Sequence, residues 1–127
     1  MREADGQTFF MRLPSGRVIR YFGVSTADGG ITASTERGGR RFSWYGGKLT
    51  ENLVQATARD VFAEGLLRLH DAGIRILWTV HDEVICEVPE DSEVTPEIVT
   101  SLLAQTPSWM PGLPVEAEGQ ETKMYLK

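Results

Sequence analysis

The 127 residues suit one domain, long enough to bury a core and short for a complete multi-step enzyme. Hydrophobic residues are 41% and charged residues 24% of the chain, an ordinary globular balance, and no run approaches the ~18 apolar residues of a membrane span. Cys86 is the only cysteine, which excludes an internal disulfide and a thiolate cluster, so a bound metal should be held by oxygen.

The N-terminal residues carry charges of both signs with no apolar run behind them, unlike a secretory signal, so the expected address is cytoplasmic and no membrane partner is expected. The net charge of −5 argues against a phosphate-rich partner, but it is unevenly placed. Residues 1–59 hold 9 basic and 5 acidic side chains, and residues 60–127 hold 4 and 13. A basic half can follow a phosphate backbone while a carboxylate-rich half binds cations.

In chain order, residues 1–22 read as a hairpin. Two β-prone runs flank Pro14-Ser15-Gly16, where proline presets one turn torsion and glycine accepts a positive one. Residues 23–44 begin with a stretch of Gly, Ser, Thr and Ala that offers little burial, and the segment reads as a mobile loop; Asp28, between Ala27 and Gly29, reads as a turn residue. Within 45–71 a long helix runs from about Lys48 to His70, ended by Asp71-Ala72-Gly73. Val54, Ala58, Val61, Phe62, Gly65 and Leu69 form its apolar side, predicted to cover a sheet. Lys48, Asn52, Gln55 and Arg59 line the other side, ordinarily a solvated face.

Residues 74–88 read as a second hairpin with a three-residue tip, His81-Asp82-Glu83, and Ile74, Ile76, Trp78 and Val80 on one buried strand face. Thr95-Pro96-Glu97 opens a helix to about Gln105 with Ile98, Val99, Leu102 and Leu103 as its apolar stripe, and alternation over residues 113–118 predicts a closing strand. This order predicts an α+β fold, an antiparallel sheet with two helices packed on one face.

Adjacent acids at a tight tip repel each other, although Asp and Glu are also ordinary turn residues. A cation relieves the repulsion, and Mg²⁺ commonly takes one or two protein carboxylates, with waters and substrate phosphates completing its shell. Asp82 suits that role, with Glu83 beside it.

The run Trp78-Thr79-Val80-His81-Asp82-Glu83-Val84-Ile85-Cys86-Glu87-Val88 resembles motif C of the family A DNA polymerases, the DNA polymerase I group and its phage relatives. Tyr45-Gly46-Gly47-Lys48-Leu49-Thr50-Glu51-Asn52-Leu53-Val54-Gln55-Ala56 resembles the helix preceding that motif in phage-type members. Leu13-Pro14-Ser15-Gly16-Arg17 resembles the palm hairpin before it, and Leu113-Pro114-Val115-Glu116-Ala117-Glu118-Gly119 the closing strand. The resemblance implies a palm-type sheet, Asp82 as a metal-binding catalytic aspartate, Glu83 as its acidic neighbour and His81 near the primer terminus. It implies Mg²⁺ in a two-metal site, with primer–template DNA and dNTP as substrates. Lys48, Asn52 and Gln55 match a helix that lies along the DNA minor groove, and Arg59 extends that face by position alone.

The family's motif A aspartate and its nucleotide-gripping fingers helix have no counterpart here. The chain alone is therefore expected to be inactive, and a palm hairpin without its neighbouring strand leaves an edge that wants a partner. The preferred expectation is one subunit of a split polymerase, completed by a second chain bearing motifs A and B. The alternatives are a non-catalytic DNA-binding or regulatory palm remnant, a homodimer that pairs free edges, and an excerpt of a longer polymerase chain.

Overall fold

The computed structural model describes residues 7–27 and 29–124. The expectations for the N-terminal six residues and for Asp28 lie outside them. Six strands and two helices follow in the order β1 (Gln7–Arg12), β2 (Val18–Ser25), β3 (Ile31–Ser34), β4 (Phe42–Trp44), α1 (Gly46–Asp71), β5 (Arg75–Val80), β6 (Glu83–Glu87) and α2 (Pro96–Leu103). The fold is α+β, with every strand pair antiparallel. The chain divides into two compact units, one ending at Ala58 and the other beginning at Arg59.

The first unit is a four-stranded meander in the order β1-β2-β3-β4, with the start of α1. Its first turn is closed by the Gly16 N–H donating to the Leu13 carbonyl at 2.9 Å, and Gly16 takes φ 89°, a torsion other residues resist. Arg17 donates from Nη2 to the Ala56 carbonyl at 2.9 Å, tying this turn to α1. Tyr21 is the deepest aromatic, 1% exposed, with Trp44 edge-on at 4.9 Å and Phe9 tilted at 5.9 Å.

Residues 23–44 are not a loop throughout, because β3 and β4 lie within them. Burial here uses small side chains, Ala33 and Ser34, so the sequence lacks the bulky apolar signal of a strand. Phe9 and Phe10 on the edge strand β1 are about half exposed, at 47% and 58%.

The second unit contains the end of α1, the β5–β6 hairpin and α2. Gly73, at φ 76°, ends α1 in a Schellman arrangement: its N–H donates to the His70 carbonyl and the Ile74 N–H to the Leu69 carbonyl. Leu69 and Ile74, the two side chains this motif brings together, are both buried. Gly65 allows α2 to approach closely, since a Cβ there would lie 3.1 Å from Leu103 Cδ2.

Several sequence expectations change in this unit and along α1. Val54 is 59% exposed and Ala58 is also exposed, whereas Gly65 and Leu69 are buried; helical spacing identifies a face but not what covers it. Pairing shifts by one between Ile76 and Trp78, a bulge that reverses the alternation and leaves Leu77 and Trp78 40% and 46% exposed. Ile98 of the predicted α2 stripe is exposed too, and α2 ends at Leu103 rather than near Gln105. Residues 113–118 form no strand; Gly119 instead comes close to Thr100 of α2. Alternation alone does not supply the neighbouring edge that a strand requires.

Candidate functional site

The tip of the β5–β6 hairpin is shorter than its spacing predicts. Val80 pairs with Glu83, so the turn is two residues, His81 and Asp82, and Glu83 opens β6. Two-residue hairpin turns need positive φ in at least one central position and usually take glycine there. Here His81 takes φ 54°, alone among the described non-glycine residues. That torsion costs about 1–2 kcal/mol in an L-residue. Arg59 braces the turn by donating from Nη1 to the His81 carbonyl at 3.3 Å, while its guanidinium lies 5.3 Å from the Phe62 ring centre.

His81, Asp82 and Glu83 are all exposed. Neighbouring carboxylates on an open turn suit a hard cation, but no group of three or more His, Cys, Asp or Glu side chains converges to hold a metal among the described residues. Among the described residues the tip is therefore not a self-contained metal site.

In the first unit, Lys48, Asn52 and Gln55 lie along an open cleft of about 370 Å³ whose other wall includes Phe42 and Trp44. Three of the residues predicted from the polar helix face thus share one concavity instead of a flat solvated surface. Asn52 is partly committed, because its Nδ2 donates to the Tyr21 hydroxyl at 2.5 Å. Tyr21 is core, so this bond positions Asn52. Lys48 Nζ is 3.4 Å from the Ser43 carbonyl and 5.9 Å from the Tyr45 ring centre. Arg59 belongs to the second unit and acts on the hairpin turn.

Sequence reasoning missed a polar network between α1, the end of α2 and the loop after it. Glu64 accepts Arg68 Nη2 at 2.6 Å through one oxygen and Trp109 Nε1 at 2.6 Å through the other. Arg68 also donates to the Leu102 and Gln105 carbonyls, at 3.4 and 3.0 Å, so a single side chain holds the end of α2 against α1. The i,i+4 spacing of Glu64 and Arg68 was a visible signal; the part of Trp109 in the 106–112 loop was not. Cys86, opposite Ile76, is half-buried, and burial pushes its thiol pKa up, which disfavours a nucleophilic role.

No helix among the described residues is long and apolar enough to cross a membrane. No protein-family model matches the chain, and no solved structure does. The chain is similar to the DNA polymerase of Bacillus phage SP02, 38% identical over a stretch that covers 93% of this chain and 19% of that protein. The chain thus spans about a fifth of the length of the curated relative it matches.

Proposed function

We propose that the chain is the C-terminal palm portion of a family A DNA polymerase, in which the β5–β6 hairpin is motif C and Asp82 a metal-binding carboxylate for nucleotidyl transfer. The observation that carries this reading is the hairpin tip. A strained two-residue turn braced by Arg59 presents Asp82 and Glu83 to solvent, in a chain similar along 93% of its length to part of a phage DNA polymerase.

Two Mg²⁺ ions would activate the primer 3′ hydroxyl and neutralise the triphosphate. Asp82 is the ligand this chain offers, Glu83 adds negative potential beside it, and His81 stands next to the primer terminus. Lys48, Asn52, Gln55 and Arg59 contact the DNA. The remaining ligands and the nucleotide grip come from polymerase parts bearing motifs A and B, in the split arrangement on a second chain. Leu77 on the β5–β6 hairpin is 40% exposed, apolar surface of the kind a neighbouring strand covers.

The test is reconstitution. The chain is mixed with a polymerase fragment holding motifs A and B, and primer extension is followed with dNTPs and Mg²⁺. Extension that requires both parts supports the reading, and extension independent of this chain overturns it.

A second reading, a non-catalytic DNA-binding or regulatory palm remnant, is favoured by one observation: no metal-holding group of three side chains is found among the described residues. It predicts DNA binding without extension in the same assay.

A further inference from the structure

The four-stranded sheet ends on β1, which among the described residues pairs with β2 alone. Its sequence, Gln7-Thr8-Phe9-Phe10-Met11-Arg12, has no proline and a single charge, at its last residue. The irregularity in its pairing puts the extra residue on β2, where Phe22 and Gly23 together oppose Thr8, so β1 itself runs unbroken. Edge strands are ordinarily short, charged or bulged, and β4 at the opposite edge has only three residues. β1 has none of these defences.

The Leu13 N–H donates to the Arg17 carbonyl at 2.8 Å, which sets the phase of the β1–β2 ladder. Met11 and Phe9 follow at every second residue and bond to β2, so the backbone N–H and C=O groups of Thr8, Phe10 and Arg12 point away from it, along the free edge. These three residues are symmetric about Phe10. An antiparallel second copy centred there sets Phe10 against its counterpart and Thr8 against Arg12, each pair exchanging two backbone hydrogen bonds. A two-fold axis perpendicular to the sheet permits this register, because it joins each face to the same face of the other copy. On the face that carries Tyr21, Phe9 then lies beside Met11 of the second copy, and on the other face the two Phe10 rings meet. Phe9 and Phe10, about half exposed in the single chain, both gain cover. The charges agree: Arg12 stands opposite a threonine, and no like charges are opposed. A register centred on Phe9 would instead carry Arg12 past the first residue of the strand.

We propose that β1 is a homodimerisation edge, two copies pairing antiparallel about Phe10 into one continuous sheet. The contact needs no DNA, metal or nucleotide and does not rest on the polymerase reading.

The test is sedimentation velocity on the full chain over a range of concentrations, which should show a monomer–dimer equilibrium. Phe10→Lys places like charges directly across the axis while leaving the β1–β2 bonds intact, and should weaken the dimer about tenfold or more with unchanged circular dichroism. Register is read by oxidative crosslinking on a Cys86→Ser background. Thr8→Cys and Arg12→Cys chains, mixed, should give mainly the mixed disulfide, because those positions lie about 5.5 Å apart across the axis. Two copies of Thr8 lie about 13 Å apart along the strand, so either variant alone should crosslink poorly. A monomer at every concentration, a dimer unaffected by Phe10→Lys, or a mixed disulfide no more abundant than the two symmetric ones overturns the proposal. So does protection of the Thr8, Phe10 and Arg12 amides from hydrogen exchange only when a polymerase fragment bearing motifs A and B is added, which assigns the edge to that partner. Primer extension is not read, so failure of the dimer and failure of the nucleotidyl-transfer reading are separate results.

Discussion

Arg59 on α1 donates to the carbonyl of His81, the residue whose left-handed torsion makes the β5–β6 turn possible. The bond is solvent-exposed, so Arg59→Ala should cost no more than about 1 kcal/mol in global stability. Its effect should be local: hydrogen exchange at the Asp82 and Glu83 amides should quicken while that of the α1 amides stays the same. His81→Gly should stabilise the chain by up to about 1 kcal/mol in urea unfolding, through relief of the strained torsion. On the proposed reading the same change lowers primer extension in the reconstituted enzyme.

The Glu64, Arg68 and Trp109 network should matter more to stability than any surface pair. Trp109→Phe keeps an aromatic ring but loses volume and the N–H that reaches Glu64, which is 32% exposed and can turn to water, so the cost should be about 1–2 kcal/mol in urea unfolding. Arg75→Ala, which removes the exposed cross-strand pair with Glu87, should cost less than about 1 kcal/mol.

Gly65→Leu should be among the more damaging substitutions in α1 despite leucine's better helix propensity. A Cβ there already meets Leu103 at 3.1 Å, and the rest of the side chain would push α2 away. The expected loss is about 1–3 kcal/mol, seen as a lower urea midpoint.

Two groups give opposite pH slopes. Burial raises the Cys86 pKa, so the folded state holds its proton more tightly than the unfolded one. The associated stability is present below the ordinary cysteine value and is lost as pH rises through the raised one. Cys86→Ser should flatten the alkaline limb of a midpoint-against-pH plot. Glu97 is lowered by hydrogen bonds from the Thr95 side chain and its own backbone N–H, so its contribution is present above the ordinary glutamate value and fades as pH falls through the lowered one. Glu97→Gln should flatten the acid limb.

Local chemistry with a single outcome was legible in the sequence. Gly73 could end α1 because its positive φ suits glycine, and Pro14 with Gly16 could make only a turn. The hairpin around His81 and Asp82 was legible from the β-branched runs on either side, although pairing of Val80 with Glu83 makes its tip two residues rather than three. β3 was hidden because its buried residues, Ala33 and Ser34, are small and carry no bulky apolar signal. The cleft beside α1 was half legible: spacing put Lys48, Asn52 and Gln55 on one face, while Phe42 and Trp44 reach it only through the β3–β4 pairing.

The most direct measurement for the proposed function is the single-turnover rate of primer extension by the reconstituted enzyme with Asp82→Asn in place of the wild-type chain, with primer–template affinity determined in parallel. The account predicts a rate reduced about 100-fold or more with DNA affinity little changed, because a metal ligand acts on the reacting oxygens rather than on the duplex. Extension at the wild-type rate would contradict it.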